Sequence, residues 1–271
     1  MDVVNPAKQR PRTARKRRRP VRVFVLGLGA LVLAAGIVSA LATWLTQLAA
    51  ANHVPTRVSA PAVAPPGPGA SAPPINPSLP ARQQPDLGTW ATVLSSTVAI
   101  PATALQAYGY AAAREAVREP TCGIGWSTLA GIGAVESRHG SYGGARLDDL
   151  GRALPSIVGI PLDGAPGVQA IPDTDGGVLD GDPQFDHAVG PMQFIPQTWR
   201  KWGVDADGDG VADPNDLNDA ALTAARYLCA DEQNMTTAKG WRAALFSYNQ
   251  SQAYANEVLQ YAANYAAGLA G

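Results

Sequence analysis

The stretch Gly131-Ile-Gly-Ala-Val-Glu136-Ser-Arg-His-Gly140 decides how this chain is read. It closes a short helical pattern that begins near Trp126. At about 100° per residue, Glu136 shares a face with Leu129 and Ile132, with Trp126 close by. A carboxylate on an apolar face loses solvation, which disfavours its charged form and raises its pKa. A carboxylic acid still protonated near neutral pH can hand a proton to a leaving oxygen, which cleavage of a glycosidic bond requires. On this helix alone, the simpler reading is a helix-end Glu that reaches solvent past Ser137, Arg138 and His139. The rest of the chain must decide.

Outward from this stretch the pattern is helical. Pro101 to Val117 reads as a helix with proline in its first turn and Leu105, Tyr108 and Ala112 on one face. Asp219 to Ala230, Lys239 to Phe246 and Ser251 to Ala267 read the same way, and no run of alternating strands appears. Between them, Ser141 to Pro183 is rich in Gly, Pro and Asp without a sustained period. A loop of that length inside a compact domain is unusual and often functional. The expected class is mainly α, in one globular domain over residues 86–271.

Two further segments carry chemistry. Asp205 to Asp216 reads Asp-Ala-Asp-Gly-Asp-Gly-Val-Ala-Asp-Pro-Asn-Asp. Asp205, Asp207, Asp209, Asp213 and Asp216 occupy positions 1, 3, 5, 9 and 12 of a calcium loop, Gly210 takes the sharp turn, and the Val211 carbonyl serves at position 7. Position 12 is Asp rather than the usual Glu, and Pro214 is atypical. Without a cation these acids would repel one another. The expected role of calcium is structural, against the alternative of a metal-free Asx-turn loop. A second acidic run, Asp173, Asp175, Asp180 and Asp182, lacks this spacing and reads as ordinary turns. The other segment, Gly190-Pro-Met-Gln-Phe194, begins a turn in which Met192, Phe194 and Ile195 are anchors and Gln193 lies among apolar neighbours. Gln193 either bonds a sugar or is a satisfied structural amide. Tyr248, in Ser247-Tyr248-Asn249, is either core or presents its hydroxyl to Glu136 or to a sugar.

The N-terminal part is built differently. Residues 1–22 hold nine of the 21 basic residues and one of the 22 acids, leaving a net charge of −9 on the remainder. That acidic remainder argues against a nucleic-acid binder. Val23 to Leu45 carries no charge, and as a helix would reach roughly 34 Å at about 1.5 Å per residue, enough to cross a bilayer. The basic flank keeps the N-terminus in the cytoplasm and exports everything beyond. An uncleaved signal anchor is expected; a cleaved signal peptide ending at Ala49-Ala50-Ala51 is the alternative. Residues 46–85, proline-rich from Pro55 to Pro85, read as a disordered, semi-rigid linker. Cys122 and Cys229 are too few for a disulfide scaffold and lack metal spacing. Outside the cell they either pair or remain separate buried thiols.

Taken in order, Glu136-Ser137 at a helix end, Gly190-Pro-Met-Gln-Phe194, the loop at 205–216 and Tyr248-Asn249 resemble the lytic murein transglycosylases. The resemblance spans roughly residues 98–265. More narrowly, the chain resembles the membrane-bound lytic transglycosylase B-like branch with an embedded EF-hand-like calcium loop. Its anchor, stalk and cysteines resemble the actinobacterial versions. The resemblance implies a lysozyme-like fold around a glycan groove. It implies cleavage of the β-1,4 bond between N-acetylmuramic acid and N-acetylglucosamine in peptidoglycan, with formation of a 1,6-anhydro sugar. Glu136 would be the single general acid and base. Ser137 and Tyr248 would orient Glu136 or the substrate, Gln193 and Asn249 would line the sugar site, and Met192 and Phe194 would form its wall. Two alternatives stay open. A hydrolytic muramidase would need a second carboxylate, for which Asp175, Asp182 and Asp186 are candidates. A non-catalytic wall-binding scaffold would keep only the groove.

Overall fold

The chain divides into two units, residues 1–57 and 58–271. The computed structural model describes residues 65–67 and 69–271, all in the second unit. The expected basic tail, membrane anchor and first part of the linker lie outside the described residues. Among the described residues, no helix is long and apolar enough to cross a membrane.

The described unit is mainly helical. In chain order its helices are α1 (Pro85–Val98), α2 (Ala102–Arg118), α3 (Trp126–Ser137), α4 (Pro196–Trp202), α5 (Leu217–Leu228), α6 (Ala238–Tyr248) and α7 (Gln252–Ala266). The expected helices therefore form within a few residues of their anticipated bounds. Two, the 14-residue α1 and the 7-residue α4, were not anticipated. Both α1 and α4 begin on a proline, which suits a first helical turn because its missing N–H has no intrahelical partner there. Polar side chains cap three others: Asp216 accepts from the amide of Asn218, Thr237 from that of Gly240, and Ser251 from that of Tyr254.

Helix α3 lies at the centre. It packs on α7 and α2, and α2 also packs on α1 and α5. Most of α3 is buried all round, which explains why its sequence reads as small and apolar rather than strongly two-faced. The glycines of the opening stretch set this packing. A Cβ on Gly131 would stand 2.8 Å from the Val258 carbonyl oxygen of α7, and one on Gly133 would stand 2.0 Å from the Tyr108 hydroxyl of α2. The connection before α3 is bonded to the segment after α5 by a Cys122–Cys229 disulfide, closing a separation of 107 residues.

The segment between α3 and α4 is ordered by short pairings. β1 (Arg146–Leu147) pairs antiparallel with β2 (Ala153–Leu154), over a small cluster of Ala145, Ala153 and Ile157. β3 (Val158–Pro161) pairs antiparallel with β4 (His187–Val189). Single bridges, Asp163 to Ala170 and Pro172 to Phe185, fold the intervening chain back on itself. The sequence shows no run of alternating strands, and these pairings leave the domain mainly helical: they are too short to show a period, and register comes from backbone bonds rather than apolar alternation.

The described end of the expected linker does not stand free. Trp126 donates its indole N–H to the Ala70 carbonyl (2.9 Å), Ser127 its hydroxyl to the Gly67 carbonyl (2.7 Å), and Arg114 a guanidinium N–H to the Pro77 carbonyl (3.0 Å). Side chains of the domain thus satisfy these carbonyls of a proline-rich segment, which supplies few amides of its own.

Candidate active site

Glu136 stands in the last turn of α3. The helix stops just beyond it because Arg138 and His139 adopt left-handed backbone, with φ of 53° and 57°. His139 is buried between the hydroxyls of Tyr108 and Tyr265, each at 3.1 Å, and burial pushes its pKa down to about 4. Ser137 is buried and fully bonded. It donates to the Pro191 carbonyl (2.6 Å) and accepts from the Gly140 amide (2.8 Å). It therefore fastens the end of α3 to the turn that carries Gln193, and is not placed to orient Glu136 or to meet a substrate.

That turn is closed by paired bonds between the backbones of Val189 and Phe194 (2.8 and 3.0 Å). Gln193 takes a positive φ of 51°, and its side-chain amide donates to the Gly190 carbonyl (2.9 Å). Its carboxamide thus holds the turn while also lining the cleft. Gly190 has φ 76°, and a Cβ there would fall 1.8 Å from the Pro214 carbonyl oxygen. Only glycine lets the turn lie so close to the acidic loop.

A cleft of about 940 Å³ opens over Glu136. The insertion contributes Leu162, Gly167 and Gln169 to Thr174; the turn contributes Gln193 and Phe194; α4 contributes Gln197 and Thr198; Tyr227 and residues Ser247 to Gln250 complete it. Of the expected site residues, Glu136, Gln193, Phe194, Tyr248 and Asn249 meet here. Met192 does not: its side chain is fully buried in the core. A thioether without polar atoms to satisfy fills the space under the turn rather than the sugar wall.

The hydroxyl on Glu136 comes from a residue the sequence reading passed over. Tyr254, near the start of α7, donates to Glu136 Oε1 at 2.6 Å. The Tyr248 hydroxyl instead donates to the Met192 carbonyl (2.7 Å), and its ring stacks on that of Tyr254 with centroids 6.5 Å apart. Burial raises the Glu136 pKa from 4.5 to about 7, with the Tyr254 bond acting in the opposite direction. Burial and the nearby Glu136 charge raise both tyrosine hydroxyls well above their usual range, so they stay protonated donors. The only sequence signal for Tyr254 is its place three residues after the Ser251 cap, which any core tyrosine could share.

The acidic loop places Asp205, Asp207 and Asp209 together, with one oxygen from each within 4.8 Å of the others. Asp216 uses one oxygen to cap α5, while the other is buried without a hydrogen bond, 3.6 Å from the Arg152 guanidinium. Three convergent acids, with a buried carboxylate oxygen that no hydrogen bond satisfies, suit a hard cation. Arg82 pairs with Asp207 and Arg152 with Asp209, so a cation would have to displace or share these contacts. Asp219, not anticipated, ties the loop's two ends by accepting from the amides of Ala206 (2.7 Å) and Asp213 (2.9 Å).

The second acidic run behaves as turns. Asp173 accepts from the amides of Asp175, Gly176 and Gly177, Asp175 from those of Val178 and Leu179, and Asp182 from that of Gln184. Asp186 is fully buried, with one oxygen on the Thr174 amide and the other on its hydroxyl, both at 2.8 Å.

No curated protein matches the chain, and no solved structure does either. One family model does match, over the segment that holds the Gln193 turn, the acidic loop, α4 and α5, with Glu136 outside it but joined to it through Ser137 and the shared cleft. Residues 185–244 fit the family described as the transglycosylase SLT domain, and this supports a lytic transglycosylase with a lysozyme-like domain, acting on peptidoglycan.

Proposed function

We propose that this protein cleaves the β-1,4 bond between N-acetylmuramic acid and N-acetylglucosamine as a lytic transglycosylase of the membrane-bound B-like type, leaving a 1,6-anhydro end. The observation that carries this reading is Glu136, an acid with a pKa of about 7 facing a glycan-sized cleft and hydrogen-bonded by Tyr254. Protonated Glu136 gives its proton to the glycosidic oxygen as the bond to C1 breaks. The resulting carboxylate then takes the proton of the muramic acid 6-hydroxyl as that oxygen bonds C1. Glu136 ends protonated and no water is consumed, so one carboxylate suffices. Tyr254 offsets part of the cost of the charged intermediate state.

A hydrolytic muramidase would need a second carboxylate free to activate water. Asp175, Asp182 and Asp186 are each committed to backbone amides. Asp173 does line the cleft, but three amides hold its pKa down, which makes it a weak base. Both features favour the intramolecular route. Mass spectrometry of fragments released from purified peptidoglycan tests it: anhydro ends are expected, and reducing ends one water heavier would assign the hydrolase.

The acidic loop is proposed as a structural calcium site held by Asp205, Asp207, Asp209, the Val211 carbonyl, Asp213 and Asp216. Bound there, calcium would supply charge neutralisation, not a nucleophile. An extracytoplasmic domain on a single-pass anchor at residues 23–45 completes the proposal, and the cysteine pair suits that oxidising side.

A further inference from the structure

Resting on the glycan-cleaving reading, we infer that the cleft selects strands whose muramic acid lactyl groups are capped as amides by stem peptides, and disfavours strands stripped to the free lactyl carboxylate.

The argument is one of charge. Among the described residues that line the cleft there is no Lys, Arg or His, and the acids are Glu136 and Asp173. Around them the lining offers amide side chains: Gln169, Gln193, Gln197, Asn249 and Gln250. Asp173 is fixed in its turn by the amides of Asp175, Gly176 and Gly177, which keeps a negative charge at the cleft whatever the state of Glu136. Arg200 donates to the carbonyl of Thr174, a lining residue, but does not itself line the cleft.

A bare lactyl group enters such a site as an ionised carboxylate. It gives up water, meets no cation, and is repelled by Asp173. A second negative charge would also disfavour ionisation of Glu136 after it has donated its proton. The same lactyl group joined to a peptide is a neutral amide, able both to donate to and to accept from carboxamides. Any free amine further along the stem would be drawn towards Asp173. Selection here works by penalising the wrong strand more than by gripping the right one.

The test uses the full-length protein and three forms of one glycan preparation: strands with stem peptides, strands stripped by an amidase, and stripped strands whose lactyl carboxylates are converted chemically to methylamides. The expected result is similar kcat/KM for the peptide-bearing and methylamide strands, and a several-fold lower value for the bare ones. Raising the salt concentration should narrow the gap. So should Gln197→Lys, which adds a cation at an exposed lining position of α4. Bare strands cleaved as fast as methylamide strands would overturn the inference. Methylamide strands cleaved as slowly as bare ones would also overturn it, since the peptide rather than the charge would then be recognised. If no form yields anhydro ends, or if Glu136→Gln cleaves all three like wild type, the transglycosylase reading itself fails and takes this inference with it.

Discussion

The hydroxyl of Tyr254 meets Glu136 Oε1 at 2.6 Å, across 118 residues of sequence, and is the hydrogen bond assigned to that carboxylate. Because the bond favours the ionised form, it restrains a pKa that burial has raised to about 7. Tyr254→Phe should therefore raise the Glu136 pKa further. The alkaline limb of the kcat/KM profile should move up by roughly one to two pH units, since a hydrogen bond to a charged group is worth about 1.5–3 kcal/mol. An unmoved limb with lowered kcat would leave Tyr254 a packing residue.

Removing the acid gives two separable results. Glu136→Gln should lower kcat by about 10²–10⁴ on peptidoglycan. Its effect on stability should depend on pH, with a sign that follows from the raised pKa. The native state holds this proton while the unfolded chain releases it above about 4.5, so the contribution to stability is present at low pH and lost as pH rises through about 7. Relative to wild type, the variant should gain stability at pH 8 and not at pH 4. Up to about 3 kcal/mol is available, less because the side chain is partly exposed. Urea unfolding at the two pH values measures this.

The turn and the acidic loop meet at one point, where a Cβ on Gly190 would stand 1.8 Å from the Pro214 carbonyl oxygen. Gly190→Ala adds that clash to a positive φ, and should cost about 3 kcal/mol or more in chemical denaturation. An exposed glycine with open space around it, such as Gly167, provides the control.

Calcium at the acidic loop should stabilise the native state by mass action. At about 100 times its dissociation constant, calcium would add about 2.7 kcal/mol and raise Tm accordingly. Chelation should reverse the shift, and Asp209→Asn should weaken it. A Tm that ignores calcium at every concentration would leave Arg82 and Arg152 as the loop's neutralising groups.

Reduction of Cys122–Cys229 frees a loop of 107 residues. In the chain-entropy model this costs about 4–5 kcal/mol, so denaturation with and without reductant should differ by up to that amount.

Helices α2, α5, α6 and α7 were legible from their apolar periods, and Glu136 because one carboxylate interrupts an otherwise small, apolar helix, while α1 and α4 went unread. The turn at Gly190–Phe194 was legible as a turn, yet the roles within it were not. Met192 and Gln193 are adjacent, and nothing in their order says that one is fully buried while the other faces the cleft. Tyr248 and Tyr254 could not be told apart by type; which hydroxyl reaches Glu136 is set by how α7 lies on α3. The strands of the insertion were invisible because two- to four-residue pairings carry no period. Asp173 looked like a turn residue and is one, while its position on the cleft comes only from the folding-back of Pro172 onto Phe185.

The contacts of Trp126 and Ser127 with Ala70 and Gly67 seat the described end of the proline-rich segment on the first turn of α3. Gly69, with φ 76° and no room for a side chain against Trp126, fits tightly at that junction. Glu136 lies one buried rod away, about 15 Å along the axis at about 1.5 Å per residue. The proline-rich segment and the Glu136 carboxylate thus sit at opposite ends of one buried helix.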